Sequence, residues 1–114
     1  MRRPTIYRAS LLAAALLFGH TALSGAEEAA PLDGAMLYQT KTCIACHGKD
    51  GKTTILPDYP KIAGQNEAYL LTQMKDIKSG ARTNGNTPAM RGVMHLVSPE
   101  EMKALAKYIA GLQP

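Results

Sequence analysis

The chain has 114 residues, with 13 Lys+Arg against 9 Asp+Glu and two cysteines, a length that allows one domain at most. Three of the basic residues, Arg2, Arg3 and Arg8, stand at the very start, and no acid precedes Glu27. Beyond residue 26 a single excess positive charge is left, so the basic patch that nucleic-acid binding requires is missing.

The basic start is followed by an apolar run from Leu11 to Phe18 and then by the small residues Ser24, Gly25 and Ala26. This order is that of a secretory signal peptide over residues 1–26, cut after Ala26. The other reading, a retained anchor, needs an apolar stretch of about 20 residues, and the run falls short of that. Export points to the periplasm and leaves no membrane span in the mature protein. Residues 27–32 form a short flexible leader, and residues 33–114 the domain. The aromatics left in the mature chain are Tyr38, Tyr59, Tyr69 and Tyr108, with no Trp. A peptide-only core would be thin in a domain this small. A large flat cofactor would supply the missing apolar surface.

Asp33 is an N-cap for a first helix over about Gly34–Lys41, with Met36, Leu37 and Tyr38 on its apolar side. After residues 43–47 comes a Gly-rich turn, residues 48–51. Pro57, Pro60 and Gly64 mark residues 52–65 as loop. A second helix runs over about Asn66–Ser79. Its apolar face is Leu70, Leu71, Met74 and Ile77, and Gly80 stands at its C-terminal cap. Residues 81–97 read as loop, with turn chemistry at Asn84–Pro88 and room for a helical turn around Met90–Leu96. The last helix opens on Ser98-Pro99-Glu100-Glu101, a capping box with proline at the first helical position. Its stripe is Met102, Leu105, Ala106, Ile109 and Leu112. No strand is predicted.

The chemistry lies in Cys43-Ile44-Ala45-Cys46-His47. Two thiols at this spacing can add across the two vinyl groups of one porphyrin, and the adjacent histidine then reaches the iron from the same side. A redox-active C-x-x-C disulfide competes with this reading. It calls for a strand before the motif in a β-α-β setting, whereas residues 33–40 read as helix. A structural zinc site would need four ligands, and the mature chain offers only the two cysteines, His47 and His95.

Beyond the motif, the chain resembles the small bacterial class I c-type cytochromes, in a group found as small monohaem carriers and in each half of dihaem periplasmic carriers. The closest likeness is to those with a Tyr-Pro-Lys-x-Ala-Gly-Gln segment, here Tyr59-Pro60-Lys61-Ile62-Ala63-Gly64-Gln65. Tyr69-Leu70, Gln73, Gly80-Ala81-Arg82, Met90-Arg91-Gly92-Val93 and Leu105-Ala106 with Tyr108 match the same group, and the likeness runs from about residue 34 to the C-terminus. It implies an all-α cytochrome c fold, with three to four helices and long loops wrapped around one covalently attached haem c. Gly34 and Tyr38 would cross Leu105 and Tyr108. Cys43 and Cys46 would hold the haem, and His47 would ligate its iron. The Pro60 carbonyl would receive the other ring N–H of His47, fixing the ring and raising its basicity. Ile62 would pack on the haem face. Arg82 would face a propionate, the alternative being a solvated charge.

The opposite iron ligand is sought among the methionines. Met36, Met74 and Met102 lie on helix faces and read as core filler. Met90 and Met94 precede the last helix, where the resembling sequences place theirs. Met90, eight residues before Ser98, has the matching offset, with Met94 as its rival. His95 offers a bis-histidine alternative. Thioether ligation raises the reduction potential and suits electron transfer.

No general base or nucleophile set accompanies the motif. The implied function is a periplasmic single-electron carrier and not an enzyme. It would be a monomer that meets a redox donor and acceptor through small, transient contacts around Ile44, Ala45 and the Met90 segment. Two other readings remain: a permanent haem c subunit of a larger oxidoreductase complex, and a C-x-x-C thiol-disulfide oxidoreductase.

Overall fold

The computed structural model describes Gly25 and residues 29–114. Apart from Gly25, the expected signal segment and its expected cut after Ala26 lie outside the described residues. Residues 29–32 are exposed and without regular structure. Five helices follow: α1 (Gly34–Thr40), α2 (Cys43–His47), α3 (Glu67–Ser79), α4 (Thr87–Met94) and α5 (Pro99–Ala110). Among the described residues there is no strand, and no helix is long and apolar enough to cross a membrane.

Local chemistry sets most helix ends. The Asp33 carboxylate accepts from the amides of Ala35 and Met36, satisfying donors that the start of α1 would otherwise leave unpaired. Asn66 does the same for α3 through the Tyr69 amide, and α3 ends on Gly80 in the left-handed region at φ 85°. At α5 the capping box is complete. Ser98 Oγ accepts from the Glu101 amide at 3.1 Å, and Glu101 Oε2 accepts from the Ser98 amide at 2.9 Å.

The helix count exceeds the three to four expected, for two reasons. Residues 43–47 close a helix of their own, entered through Thr42 at φ 64°, a left-handed conformation that a β-branched residue rarely adopts. The segment read as loop before the last helix instead forms α4 from Thr87, with Pro88 in its first turn, where the missing N–H costs nothing. It starts earlier than the helical turn expected around Met90–Leu96.

Helix α5 is the hub, packing against both α1 and α3. Leu105 and Ala106 are fully buried at its centre, and Met102 and Ile109 continue the stripe; Leu112 lies past the helix end and is half-buried. Where α1 crosses α5, a Cβ on Gly34 would stand 2.4 Å from the Ala104 carbonyl oxygen and 2.6 Å from Tyr108 Cβ. Only glycine permits that approach. One turn on, the Tyr38 and Tyr108 rings meet with centroids 5.5 Å apart and planes tilted by 55°, a favoured aromatic geometry. Met36, expected as core filler, is instead 60 % exposed, because it lies on the side of α1 facing away from α5.

Candidate functional site

Helices α2, α3, α4 and α5 and the loop between α2 and α3 surround a cavity of about 400 Å³. Cys43, Cys46 and His47 line it from α2, Pro60 and Ile62 from the loop, and Leu70, Met74 and Ile77 from α3. Met90, Val93 and Met94 enter from α4, and Leu105 and Ile109 from α5. A second hollow, between the start of α1 and the end of α5, opens widely to solvent and contains no cysteine, histidine or methionine.

The imidazole of His47 is buried. Its Nδ1 lies 2.9 Å from the Pro60 carbonyl oxygen, which can only accept, so Nδ1 carries the proton and Nε2 keeps its lone pair. Burial pushes the His47 pKa below its ordinary value, and the Pro60 carbonyl opposes that shift. A neutral imidazole with a free Nε2 is the form that binds iron. The loop carrying Pro60 is tied back to the turn after α2, since the amides of Ile62 and Ala63 both donate to the Gly51 carbonyl. Ile62 is half-buried on the cavity wall.

Cys43 and Cys46 form no disulfide with each other, and both are half-buried. Burial, with a smaller contribution from Cys46, pushes the Cys43 thiol up to about 11. A dithiol nucleophile needs the opposite shift. Helix α1 stands where the disulfide-enzyme reading wants a strand, so that reading loses its fold.

Met90 and Met94 are one helical turn apart on α4, and such residues share a face. Both line the cavity. Met94 is 1 % exposed and belongs to the central core, whereas Met90 is half-buried and packs on the edge of that core. His95 is exposed and away from the cavity lining. Arg82 reaches the cavity wall with its guanidinium already engaged: Nη1 donates to Gln73 Oε1 at 2.9 Å and Nε to Asn84 Oδ1 at 3.3 Å.

Three contacts around the site have no counterpart in the sequence reading. The buried Tyr38 hydroxyl donates to the Gly48 carbonyl at 2.8 Å, linking α1 to the residue after His47. Burial, with lesser contributions led by Cys43, raises the Tyr38 pKa to about 12. Asn86 Nδ2 donates to Asp58 Oδ2 at 2.6 Å, joining the loop after α2 to the start of α4. Thr87 is buried and donates its hydroxyl to the Asn84 carbonyl. Only the Thr-Pro step at a helix start could have drawn attention to Thr87. Nothing local marks the Tyr38–Gly48 bond or the Asp58–Asn86 pair.

Two thiols, one neutral imidazole, thioethers and apolar walls around a single cavity suit a covalently held haem. The arrangement defines a small all-helical haem protein. The chain matches the family model Cytochrome c over residues 32–113. It is 41% identical over 88 residues to cytochrome c4 of Pseudomonas aeruginosa, covering 77% of this chain and 42% of that protein. It is 34% identical over 101 residues to cytochrome c-553 of Nitratidesulfovibrio vulgaris, covering 89% of this chain and 91% of that one. Among solved structures, reduced recombinant cytochrome c4 from Pseudomonas stutzeri matches with a TM-score of 0.63 at 36% identity, over 70% of this chain and 46% of that one. This chain belongs to the cytochrome c family, as a small bacterial class I c-type cytochrome whose cofactor is haem c with its iron. It spans less than half the length of the cytochrome c4 relatives it matches.

Proposed function

We propose that the protein is a periplasmic single-electron carrier. Its haem c is attached through thioethers of Cys43 and Cys46, and the iron is ligated by His47 and Met90. The observation that carries this reading is that one cavity takes in both thiols and the imidazole of α2 together with the Met90 side chain of α4. Bound haem c supplies the one-electron redox chemistry. The chain contributes ligands, burial and hydrogen bonds. The Pro60 carbonyl orients His47 and raises its basicity. A thioether opposite it favours the ferrous state and raises the potential. Met90 is preferred to Met94 because Met94 is packed inside the core, where turning it towards an iron would open a void. Ile62 packs on the haem face, and Arg82 stands towards a propionate.

Residues 1–26 act as the export signal and 27–32 as a leader, with the haem domain over 33–114. The basic start, the short apolar run and Ser24-Gly25-Ala26 support this division. Donor and acceptor proteins dock transiently on a monomer, beside the motif. There the exposed Ile55 and Leu56 follow closely on α2, held by the Ile55 amide donating to the Cys46 carbonyl. Redox titration of the exported protein is expected to follow a single reversible one-electron curve. A protein with no reversible spectral change between reductant and oxidant would overturn the carrier reading. A stable large complex on size-exclusion chromatography would replace it with the permanent subunit.

A further inference from the structure

Helix α4 runs out through His95 and Leu96 into the buried Val97 and then Ser98, the N-cap of α5. The amides of Leu96 and Val97 donate back to the carbonyls of Val93 and Met94, so this connection moves with α4. Two lysines from different helices grip it. Lys41, the C-cap residue of α1, donates from Nζ to the Leu96 carbonyl at 2.7 Å and pairs with Glu101 at 3.1 Å. Lys78, in the last turn of α3, donates from Nζ to the Val97 carbonyl. The two ammonium groups therefore satisfy consecutive carbonyls at the end of the methionine-bearing helix. Carbonyls there lack a helical partner and carry the negative end of the helix dipole. Neither lysine lines the cavity.

We propose that Lys41 and Lys78 are positioning residues that clamp the connection after α4 and thereby hold the Met90 thioether at its place in the cavity. The inference rests on the Met90 assignment. A shift of α4 that carries the thioether off the iron breaks one or both ammonium–carbonyl bonds. Removing the ammonium groups raises the population of the shifted state. Any ligand that needs that state then binds more tightly by the same factor.

The test titrates the ferric exported holoprotein with imidazole, which binds iron only where the thioether has left. The variants are Lys41→Met with Lys78→Met, which keep the apolar stems and lose the donors. Lys103→Met with Lys107→Met, both exposed on α5, is the charge-matched control. The double variant is expected to bind imidazole about tenfold more tightly, with a faster limiting rate at saturating imidazole, as loss of charged hydrogen bonds of ordinary strength implies. The control is expected to match the parent. Where the double variant does not accumulate, Lys41→Met alone is read in the same way, with a smaller increase. Parental affinity and limiting rate in the lysine variants overturn the clamp alone. A Met90→Ala protein that keeps the weak red band of methionine–iron ligation overturns the Met90 assignment itself, whatever the lysine variants do.

Discussion

The hydroxyl of Tyr38 and the carbonyl of Gly48, ten residues apart, meet at 2.8 Å. The bond fastens the middle of α1 to the chain directly after His47, while the same tyrosine ring packs on Tyr108 of α5. One side chain thus ties the terminal helix crossing to the motif. Tyr38→Phe keeps the ring contact and removes one of two donors to the Gly48 carbonyl, the Gly51 amide at 3.2 Å being the other. The expected cost is about 1 kcal/mol in the unfolding free energy of the holoprotein, measured by denaturant titration. An unchanged midpoint would show that water replaces the hydroxyl without loss.

Gly34→Ala tests the crossing itself. The added methyl would meet backbone and Cβ atoms of α5, not the end of a flexible side chain, so the helices must separate. A loss of about 1–3 kcal/mol is expected, read from the same titration, with the absorption spectrum of the folded protein little changed. Ala35→Gly, one residue on, provides a comparison that weakens α1 by helix propensity alone.

Acid should destabilise the fold through two carboxylates. Asp50 is held well below the ordinary carboxylate value, first by the Lys52 amide and then by the hydroxyl and amide of Thr53. Glu101 is lowered by the Ser98 amide first and then by Lys41. Groups depressed in the folded state stabilise it fully above their unfolded pKa, and that stabilisation is lost as pH falls towards the folded one. Stability is therefore expected to be flat near neutrality and to decline below about pH 4. Asp50→Asn and Glu101→Gln should each flatten that decline. Thermal unfolding midpoints measured across the acid range check this, and unaltered slopes in both variants would remove these carboxylates as the cause.

Met90→Ala and Met94→Ala separate the two candidate thioethers. In the ferric protein the first is expected to abolish the weak red absorption band of methionine–iron ligation. The second should keep the band and lower stability by about 2–5 kcal/mol, the usual cost of emptying a buried methionine site. The reverse pattern would move the ligand to Met94.

Much of this architecture could be read from the sequence wherever the determinants are local. The capping box from Ser98 to Glu101, the end of α3 at Gly80 and the N-cap at Asp33 each involve residues within four positions of one another, and all three stand in the structure as expected. The Gly34–Tyr108 crossing came from the resemblance, since nothing in residues 34–41 alone says what they pack against. Helix α4 escaped because the turn-forming residues Asn84–Pro88 dominate its start and Gly92 weakens its interior. Packing on α3, where the Arg91 guanidinium lies over Gly80, supplies what propensity lacks. Helix α2 is too short for any periodicity to register. The Asp58–Asn86 and Lys41–Leu96 bonds span 28 and 55 residues, beyond any local pattern. The Met90–Met94 choice stays close for a geometric reason, because residues one turn apart on one helix reach the same cavity.

The central claim is that Cys43 and Cys46 hold one haem covalently in an exported chain. Intact mass of the protein purified from the periplasm, recorded under denaturing conditions, tests it most directly. The account predicts the mass of residues 27–114 plus one haem, and the loss of that addition when both cysteines are replaced by alanine. A periplasmic chain whose denatured mass contains no haem would contradict it.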